Sequence, residues 1–272
     1  MELVPEGGVM KHTSQTIYSK KQAGERIVAL SLYDYPSARI ADGAGVDVIM
    51  VGDSVGMVLL GHENTLGMTI EHMLYHTAAV AKAVKHALVV ADMPIHSYND
   101  PEKALTNAQR LLREAGADAV KLEGGVKIQA QIQKLVTEGI PVMGHIGMLP
   151  QSVGDGKYRV YGKDPDEATL ILEDAKLLDG MGVFAIVLEC VPAKLAEEIT
   201  KAVRCPMIGI GAGPATDGQV LVFHDLLGIR SGVSPRFVRR YADLEKIMKK
   251  AAGDYCHDVK NKKFPSKKES FL

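Results

Sequence analysis

Apolar residues along this chain gather into short runs, and each run is followed by a longer stretch in which apolar residues recur at helical spacing. A short apolar run that ends at glycine, proline or a charged residue predicts a buried strand, and recurrence at about every third or fourth residue predicts an amphipathic helix. The later helices include a basic amphipathic one expected at about 235–252. Eight runs predict strands, at 27–32, 46–51, 87–91, 117–123, 140–145, 183–188, 206–210 and 219–224.

Charged side chains follow several of these runs. In the run that ends at residue 123, alternate residues share a face, so Lys121 and Glu123 point the same way. Taken alone, this pair is more readily interpreted as a structural ion pair, because buried charges are costly unless they meet each other, a metal or a ligand. The same pattern recurs at the ends of other runs, and this recurrence favours a functional site instead. Other runs end similarly, at Asp53, Asp92, His145 and Glu189.

Alternating strands and helices with polar strand ends predict an α/β fold, a single-domain (β/α)₈ TIM barrel whose site lies where the strands end. An open doubly wound sheet also alternates, but it collects its site at one crevice. We expect an N-terminal tail with a short helix at 1–22, the barrel at 23–252 and a lysine-rich C-terminal tail at 253–272. The loop at 146–163 is either functional or a solvated excursion, and the sequence does not decide between them.

The charge balance argues against two classes of partner. Lys and Arg number 32 and Asp and Glu 33, giving a formal net charge of −1, which offers no field to attract nucleic acid or an anionic membrane. No apolar segment approaches the roughly 20 residues of a membrane span, and the N-terminus lacks the centre of a signal peptide. We therefore expect a soluble cytoplasmic protein. The three cysteines are widely separated and lack CxxC spacing, which argues against disulfides or zinc.

Three acidic residues at successive strand ends indicate a cation site. Asp53, Asp92 and Glu123 would converge on the mouth of a barrel, where their charges repel unless a hard divalent cation such as Mg²⁺ is present. Because Mg²⁺ keeps several waters and takes one or two direct carboxylates, we expect some of the three to act through water. Lys121 and His145 would surround an anionic substrate.

Glu189 ends a strand on the opposite side of the predicted barrel, so it is a separate carboxylate suited to act as a general base. A metal that holds a 2-oxo acid through its carbonyl and carboxylate would acidify the carbon next to the carbonyl. The residue pattern is therefore consistent with removal of that proton by Glu189.

From about residue 31 to residue 239 the chain resembles the ketopantoate hydroxymethyltransferase family. The resemblance depends on an ordered set of motifs that are specific in combination. They are Tyr33-Asp34-Tyr35, Val51-Gly52-Asp53-Ser54, Gly61-His62 with Thr65-Leu66, Tyr75-His76-Thr77, Lys121-Leu122-Glu123-Gly124-Gly125, Gly144-His145, Pro150-Gln151-Ser152, Leu188-Glu189-Cys190-Val191-Pro192 and Ile208-Gly209-Ile210-Gly211-Ala212-Gly213.

The resemblance implies transfer of a hydroxymethyl group from 5,10-methylenetetrahydrofolate to 3-methyl-2-oxobutanoate. The product would be 2-dehydropantoate, for pantothenate and coenzyme A synthesis, and the enzyme would use one Mg²⁺ per subunit and form a large homo-oligomer. By the same resemblance Glu189 matches the proposed base, and His145 matches a position near the substrate.

The resemblance also implies how the metal and substrate are held. Asp53 and Asp92 match the metal-binding aspartates and also lie against the substrate, and Glu123 matches the third acidic residue at the metal. Ser54 and Lys121 match contacts to the substrate carboxylate.

Two other functions are considered. A Mg²⁺-dependent oxo-acid lyase or mutase of the phosphoenolpyruvate mutase and isocitrate lyase type resembles this chain in its barrel, its carboxylates and its chemistry. Such an enzyme is expected to carry a catalytic cysteine in a KKCGH-like loop, and none of the three cysteines lies in such a motif. A non-catalytic barrel that binds an oxo acid would not need a metal cluster and a separate base together.

Overall fold

The computed structural model describes residues 10–152, 159–229 and 235–271. Eight parallel strands form a closed barrel in chain order, and β1 pairs with β8 to close it. The predicted (β/α)₈ architecture is therefore confirmed. The strands are β1 Ile27–Ser31, β2 Val48–Val51, β3 Leu88–Asp92, β4 Ala119–Glu123, β5 Val142–Gly147, β6 Ala185–Glu189, β7 Met207–Ile210 and β8 Gly218–Val222.

The helices begin where the sequence provides capping residues. Asp34, Asp100 and Asp164 each accept a backbone N–H in the first turn, and a proline follows within the first two helical positions. Short 3₁₀ helices span Val126–Ile128 and Pro150–Ser152. The α-helices are α1 Ser14–Gln22, α2 Tyr35–Gly43, α3 Val55–Val58, α4 Ile70–Ala81, α5 Pro101–Arg113, α6 Gln129–Thr137, α7 Pro165–Met181, α8 Ala193–Ala202, α9 Phe223–Leu227 and α10 Leu244–Lys260.

The C-terminal predictions require correction. The eighth strand ends at Val222, because the next residues form α9. The predicted helix at 235–252 is α10, which starts later because Asp243 caps it by accepting the Lys246 N–H. It continues to Lys260, so the first part of the predicted tail at 253–272 is helical.

The chain divides into two compact units, one ending at Val222 and the other beginning at Phe223. The sequence prediction instead carried the barrel domain to residue 252. Residues 1–9 of the predicted N-terminal tail and the Gly154-Asp155-Gly156 part of the loop at 146–163 lie outside the described residues. In the described ranges, no helix is both long and apolar enough to cross a bilayer.

The barrel interior is an apolar core to which every strand contributes alternate residues. Because one buried cluster contains residues from all eight strands, these side chains face the centre of the barrel. The cluster also contains Ile17 of α1. It comprises Ile17, Ile27, Ala29, Val48, Met50, Leu88, Val90, Ala119, Met143, Phe184, Ala185, Val187, Ile208 and Val220.

Helix α1 closes the amino-terminal end of the barrel. Ile17 is fully buried. Three lysines in and just before α1 each pair with an aspartate that directly precedes a strand: Lys11 with Asp118 at 2.6 Å, Lys20 with Asp47 at 3.2 Å and Lys21 with Asp217 at 3.0 Å. The sequence analysis predicted a short helix here but not this role.

The same three aspartates also bind the backbone of neighbouring strands. Each carboxylate accepts an N–H from the strand that pairs with its own strand: Asp47 from Val28, Asp118 from Val89 and Asp217 from Met207, all at 2.8 Å. Asp47 and Asp217 therefore each join two adjacent strands to α1, and Asp118 joins two to the segment just before it.

Candidate active site

Polar side chains continue the inward-facing rows of the core at the carboxyl ends of the strands. Asp92 lies two residues beyond Val90 on β3, so it faces the barrel interior. The same spacing places Lys121 and Glu123 on the interior face of β4, His145 on that of β5 and Glu189 on that of β6. The strand register sets Asp92 beside Lys121 and Glu123 beside His145.

Lys121 is buried among acidic residues. Its Nζ lies 3.1 Å from Asp92 Oδ2 and 3.9 Å from Glu123 Oε1. Burial disfavours the ammonium, but the charges of Asp92, Glu123 and Asp53 outweigh it and raise the pKa of Lys121. Lys121 is therefore a buried cation held by ion pairs with Asp92 and Glu123.

Asp53, Asp92 and Glu123, which we call the carboxylate cluster, are all nearly inaccessible to solvent. Burial and then the charges of Glu123 and Asp92 raise the pKa of Asp53 to about 8. Burial also raises the pKa of Asp92, and Glu123 adds to the effect although Lys121 opposes it. Asp53 and Asp92 therefore have too little positive charge around them to offset the cost of ionising in a buried site.

Glu123 is better compensated than the two aspartates. Burial opposes its ionisation, but the hydrogen bond from His145, the charges of His145 and Lys121, and the N–H of Gln151 lower the pKa of Glu123 overall. The Gln151 backbone N–H donates to Glu123 Oε2 at 3.0 Å. Glu123 is thus ionised and already has protein donors.

The donor set fits a hard divalent cation. Asp92 Oδ2 accepts the Asp53 N–H at 3.2 Å and pairs with Lys121, whereas Asp92 Oδ1 is buried without a hydrogen-bond partner among the described residues. Within the same ranges, no three His, Cys, Asp or Glu side chains form a ready-made metal cage. The fit therefore depends on the two aspartates, because Mg²⁺ takes one or two carboxylates and completes its shell with water.

Gly52 keeps the approach to the carboxylate cluster open. A Cβ on Gly52 would lie 2.8 Å from Ser31 Oγ, 2.8 Å from Ser54 Oγ and 3.6 Å from Asp92 Oδ2. Two of these distances are shorter than a real Cβ contact, so a side chain at this position would displace the Ser31 and Ser54 hydroxyls. Ser54, the predicted substrate contact, also hydrogen-bonds to the Tyr33 hydroxyl at 2.8 Å.

His145 connects Glu189 to the other charged groups. Its Nδ1 is 3.2 Å from Lys121 Nζ and 3.5 Å from Glu123 Oε1. Its Nε2 is 3.1 Å from Glu189 Oε2, in an ion-pair contact that is not a well-aligned hydrogen bond. Burial and Lys121 act to lower the pKa of His145, but Glu123 and Glu189 prevail and raise it to about 9. The two neighbouring carboxylates therefore favour the protonated form of His145, and Lys121 opposes it.

The position of Glu189 differs in one respect from the sequence prediction. Strand β6 lies across the barrel from β2, so Glu189 is on the opposite side from Asp53, as expected. It is not isolated, however, because His145 on the neighbouring strand links it to Glu123. Its side chain is 12% exposed, whereas that of His145 is 3% exposed.

Gln151 and Tyr98 are site residues that the sequence analysis missed. Gln151 lies within a family motif to which we gave no role, and its Nε2 donates to Asp53 Oδ2 at 2.8 Å. The Tyr98 hydroxyl donates to Gln151 Oε1 at 2.5 Å. Both residues lie outside the strands, where no periodicity shows which side chains turn inward.

Comparison with known sequences identifies similar proteins over nearly the whole chain. The family model described as ketopantoate hydroxymethyltransferase matches residues 11–267. The 3-methyl-2-oxobutanoate hydroxymethyltransferase of Carboxydothermus hydrogenoformans is 52% identical over 95% of each chain. The protein of the same name from Christiangramia forsetii is 50% identical over 95% of this chain and 96% of the relative.

Comparison with solved structures supports the fold. A phosphonopyruvate hydrolase in complex with oxalate and Mg²⁺ aligns with a TM-score of 0.63 at 13% identity, covering 95% of this chain and 93% of that chain. A 2,3-dimethylmalate lyase of the phosphoenolpyruvate mutase and isocitrate lyase superfamily aligns with a TM-score of 0.56 at 14% identity, covering 94% and 91%. The predicted resemblance of the fold to barrels of the phosphoenolpyruvate mutase and isocitrate lyase type is therefore confirmed.

Proposed function

Because the chain belongs to the ketopantoate hydroxymethyltransferase family, we propose that it transfers a hydroxymethyl group from 5,10-methylenetetrahydrofolate to 3-methyl-2-oxobutanoate. Relatives named 3-methyl-2-oxobutanoate hydroxymethyltransferase are about 50% identical to this chain over nearly the full length, and this identity supports the same activity here. The same identity favours this activity over the oxo-acid lyase alternative. The folate donor, the cation, the residue roles and a place in pantothenate synthesis are our proposal. In the balanced reaction, water and the one-carbon unit supply the hydroxymethyl group, and tetrahydrofolate leaves.

Asp53 and Asp92 would hold Mg²⁺, and Glu123 would act through water. When bound, Mg²⁺ would polarise the carbonyl group of the oxo acid and so make the neighbouring C3–H more acidic. Three observations support this assignment: the raised pKa of Asp53, the existing donors around Glu123, and the buried Asp92 Oδ1, which has no hydrogen-bond partner in the part of the chain that the structure describes.

Lys121 and Ser54 would bind the substrate carboxylate. The Lys121 ammonium is charged and buried, so it can form a charge-assisted hydrogen bond with little competition from water. Ser54 directly follows Asp53, and its hydroxyl is oriented by Tyr33. Together they would set the position of C3 relative to the base.

Glu189 would accept the C3 proton. Its carboxylate is less buried than the carboxylate cluster and contacts His145. Removal of the proton leaves an electron pair on C3. Water would release tetrahydrofolate from the methylene group and leave the one-carbon unit at the oxidation level of formaldehyde. The C3 electron pair then forms the new C–C bond as the C=O π bond of that unit opens, and its oxygen takes up a proton to become the hydroxyl. His145 would hold the Glu189 carboxylate in a fixed orientation before the proton moves.

One observation carries the proposal: among the described residues, the three carboxyl groups of the carboxylate cluster are buried around a single ammonium, that of Lys121, and a further carboxylate contacts the cluster through His145. The test is a coupled assay with 3-methyl-2-oxobutanoate and 5,10-methylenetetrahydrofolate, after chelation and again after Mg²⁺ is restored. We expect product only with both substrates and with Mg²⁺. Equal turnover by the chelated enzyme would contradict the cation assignment, and no turnover under any condition would contradict the reaction.

We also propose that the protein is a homo-oligomer, as the family resemblance implies. The chain has a mass of 29.3 kDa. Light scattering coupled to size-exclusion chromatography should give a multiple of this mass, and a monomer mass at micromolar concentration would contradict the proposal.

A further inference from the structure

We propose that Gln151 is a positioning residue for the carboxylate cluster and that it sets the affinity of the site for its divalent cation. The inference rests on the proposed function, because it takes the cation site at Asp53 as given. Gln151 lies on the 3₁₀ helix Pro150–Ser152, after β5, and is 4% exposed. It contacts the ends of three other strands.

Gln151 donates hydrogen bonds to acceptors in the site from both its side-chain amide nitrogen and its backbone N–H. Nε2 donates to Asp53 Oδ2 at 2.8 Å and to the Met93 carbonyl oxygen at 3.0 Å. Its backbone N–H donates to Glu123 Oε2 at 3.0 Å. A carbonyl oxygen and an ionised carboxylate can only accept hydrogen bonds. When Asp53 is ionised, the amide atom that faces both must therefore be the nitrogen, which fixes the orientation of the amide.

Tyr98 fixes the other end of the amide. Its hydroxyl donates to Gln151 Oε1 at 2.5 Å. Burial and the charge of Glu123 raise the pKa of Tyr98, so the hydroxyl keeps its proton and remains a donor. Hydrogen bonds therefore run from Tyr98 through the Gln151 amide to Asp53, which leaves the amide no freedom to rotate.

This chain of bonds gives Asp53 a defined orientation. One oxygen, Oδ2, accepts from Gln151, whereas Oδ1 accepts no hydrogen bond from the described residues and can bind another ligand. A carboxylate whose direction is already set loses less conformational freedom when it binds a cation. Gln151 therefore acts on the cation through Asp53 and need not touch the cation.

The test separates positioning from packing. Gln151→Met keeps a side chain of similar volume and the backbone N–H to Glu123, but it removes both amide donors. Tyr98→Phe removes only the hydroxyl that orients the amide. Gln219→Met is the matched control, because Gln219 Nε2 also donates two bonds, to the Gly213 carbonyl at 2.9 Å and Thr216 Oγ1 at 2.8 Å, away from the carboxylate cluster.

The measurement is titration of the substrate-free full-length protein with Mn²⁺, with free Mn²⁺ followed by electron paramagnetic resonance and Tm recorded for each variant. We expect Gln151→Met to raise the Mn²⁺ Kd about 10- to 100-fold, in the range for residues that orient metal ligands. Tyr98→Phe should raise Kd by a smaller factor, and the double variant should bind no more weakly than Gln151→Met. Gln219→Met should leave Kd unchanged.

The outcomes are distinguishable. A folded Gln151→Met protein with wild-type Kd overturns the positioning role and leaves the proposed cation site intact. Failure of the wild-type protein to bind Mn²⁺ overturns the cation site and the positioning role with it. If Gln151→Met does not fold, Tyr98→Phe decides the question, because an unchanged Kd in that variant also overturns the inference.

Discussion

His145 has contacts on both sides, and these make the role of Glu189 testable. The imidazole ring lies between Glu123 and Glu189, so replacing Glu189 by an uncharged residue still leaves His145 a carboxylate partner. A variant at Glu189 should therefore retain the rest of the site.

We predict that Glu189→Gln binds metal and 3-methyl-2-oxobutanoate but loses proton abstraction. Glutamine keeps the shape of the side chain but cannot accept the C3 proton, and loss of a general base costs about 10² to 10⁴ in rate. The measurement is exchange of the C3 proton for deuterium by NMR in D₂O with Mg²⁺, without folate. Glu198→Gln, on the exposed face of α8, is the control. Exchange at the wild-type rate would instead assign the proton to His145 or to water.

Asp42 shows how a buried carboxylate can be stabilising away from the site. Its side chain accepts three successive backbone N–H groups, from Lys85 at 2.9 Å, His86 at 3.0 Å and Ala87 at 2.8 Å. Burial opposes ionisation of Asp42, but these hydrogen bonds prevail and lower its pKa. Because the folded pKa lies below the unfolded value of about 4, the contribution is complete above that value and is lost as pH falls through the folded pKa.

We predict that Asp42→Asn lowers the free energy of unfolding by about 1 to 3 kcal/mol at pH 7, since an amide cannot accept all three bonds. The difference from wild type should shrink as pH falls below about 4. Urea unfolding at pH 7 and pH 3 measures both. Asp254→Asn, at an exposed position of α10, should change stability by less than about 0.5 kcal/mol. A difference that grows at low pH would contradict the assignment.

At the scale of elements, alternation within strands was the most informative pattern in the sequence. It correctly predicted that Lys121 and Glu123 share a face, because the period of two is fixed by backbone geometry. Loops have no such period, so Gln151 could be quoted as part of a motif but not assigned to the site. The limits of α10 were misjudged because its start depends on one side chain, that of Asp243.

The role of α1 was missed for a different reason. Its apolar anchor, Ile17, is a single residue in a polar helix, and the partners of its lysines lie far along the chain. Neither local periodicity nor composition can reveal such long-range partners.

We predict that Ile17→Ala lowers the free energy of unfolding by about 2 to 5 kcal/mol, because it leaves a cavity at the closed end of the core. Gln15→Ala, at an exposed position of the same helix, should be nearly neutral. Guanidinium unfolding of the two variants makes the comparison. Equal stability of both would mean that α1 does not contribute to the barrel core.

For the whole molecule, the interior of the barrel has an apolar part and a charged part. Apolar side chains fill the end covered by α1, and the carboxylate cluster lies at the carboxyl ends of the strands. The raised pKa of Asp53 means that its ionised form is disfavoured in the folded protein. Without a cation, the site therefore opposes stability.

We predict that Asp53→Asn stabilises the cation-free protein and that this gain increases as pH rises from about 4 toward 8. Over this range the unfolded carboxyl group is ionised while the folded one keeps its proton, so unfolding of the wild-type protein releases a proton and becomes more favourable as pH rises. Mg²⁺ at 100 times its Kd should stabilise the wild-type protein by about 2.7 kcal/mol and the variant by much less. Thermal unfolding at pH 5 and pH 9, with chelator or Mg²⁺, provides the measurement. A variant less stable than wild type at pH 9 with chelator would contradict the prediction.

The closure of the barrel by α1 has a consequence for the order of events during synthesis. Helix α1 leaves the ribosome before any strand of the barrel, yet Lys21 pairs with Asp217, which directly precedes β8. Its nitrogen also donates to the Cys205 carbonyl oxygen, 184 residues along the chain. Until those residues have been translated, α1 cannot dock fully and Ile17 lacks part of its core. Although it is made before the barrel strands, α1 is therefore one of the last elements to reach its place. The amino-terminal end of the nascent barrel stays uncovered until the C-terminal strands have been made.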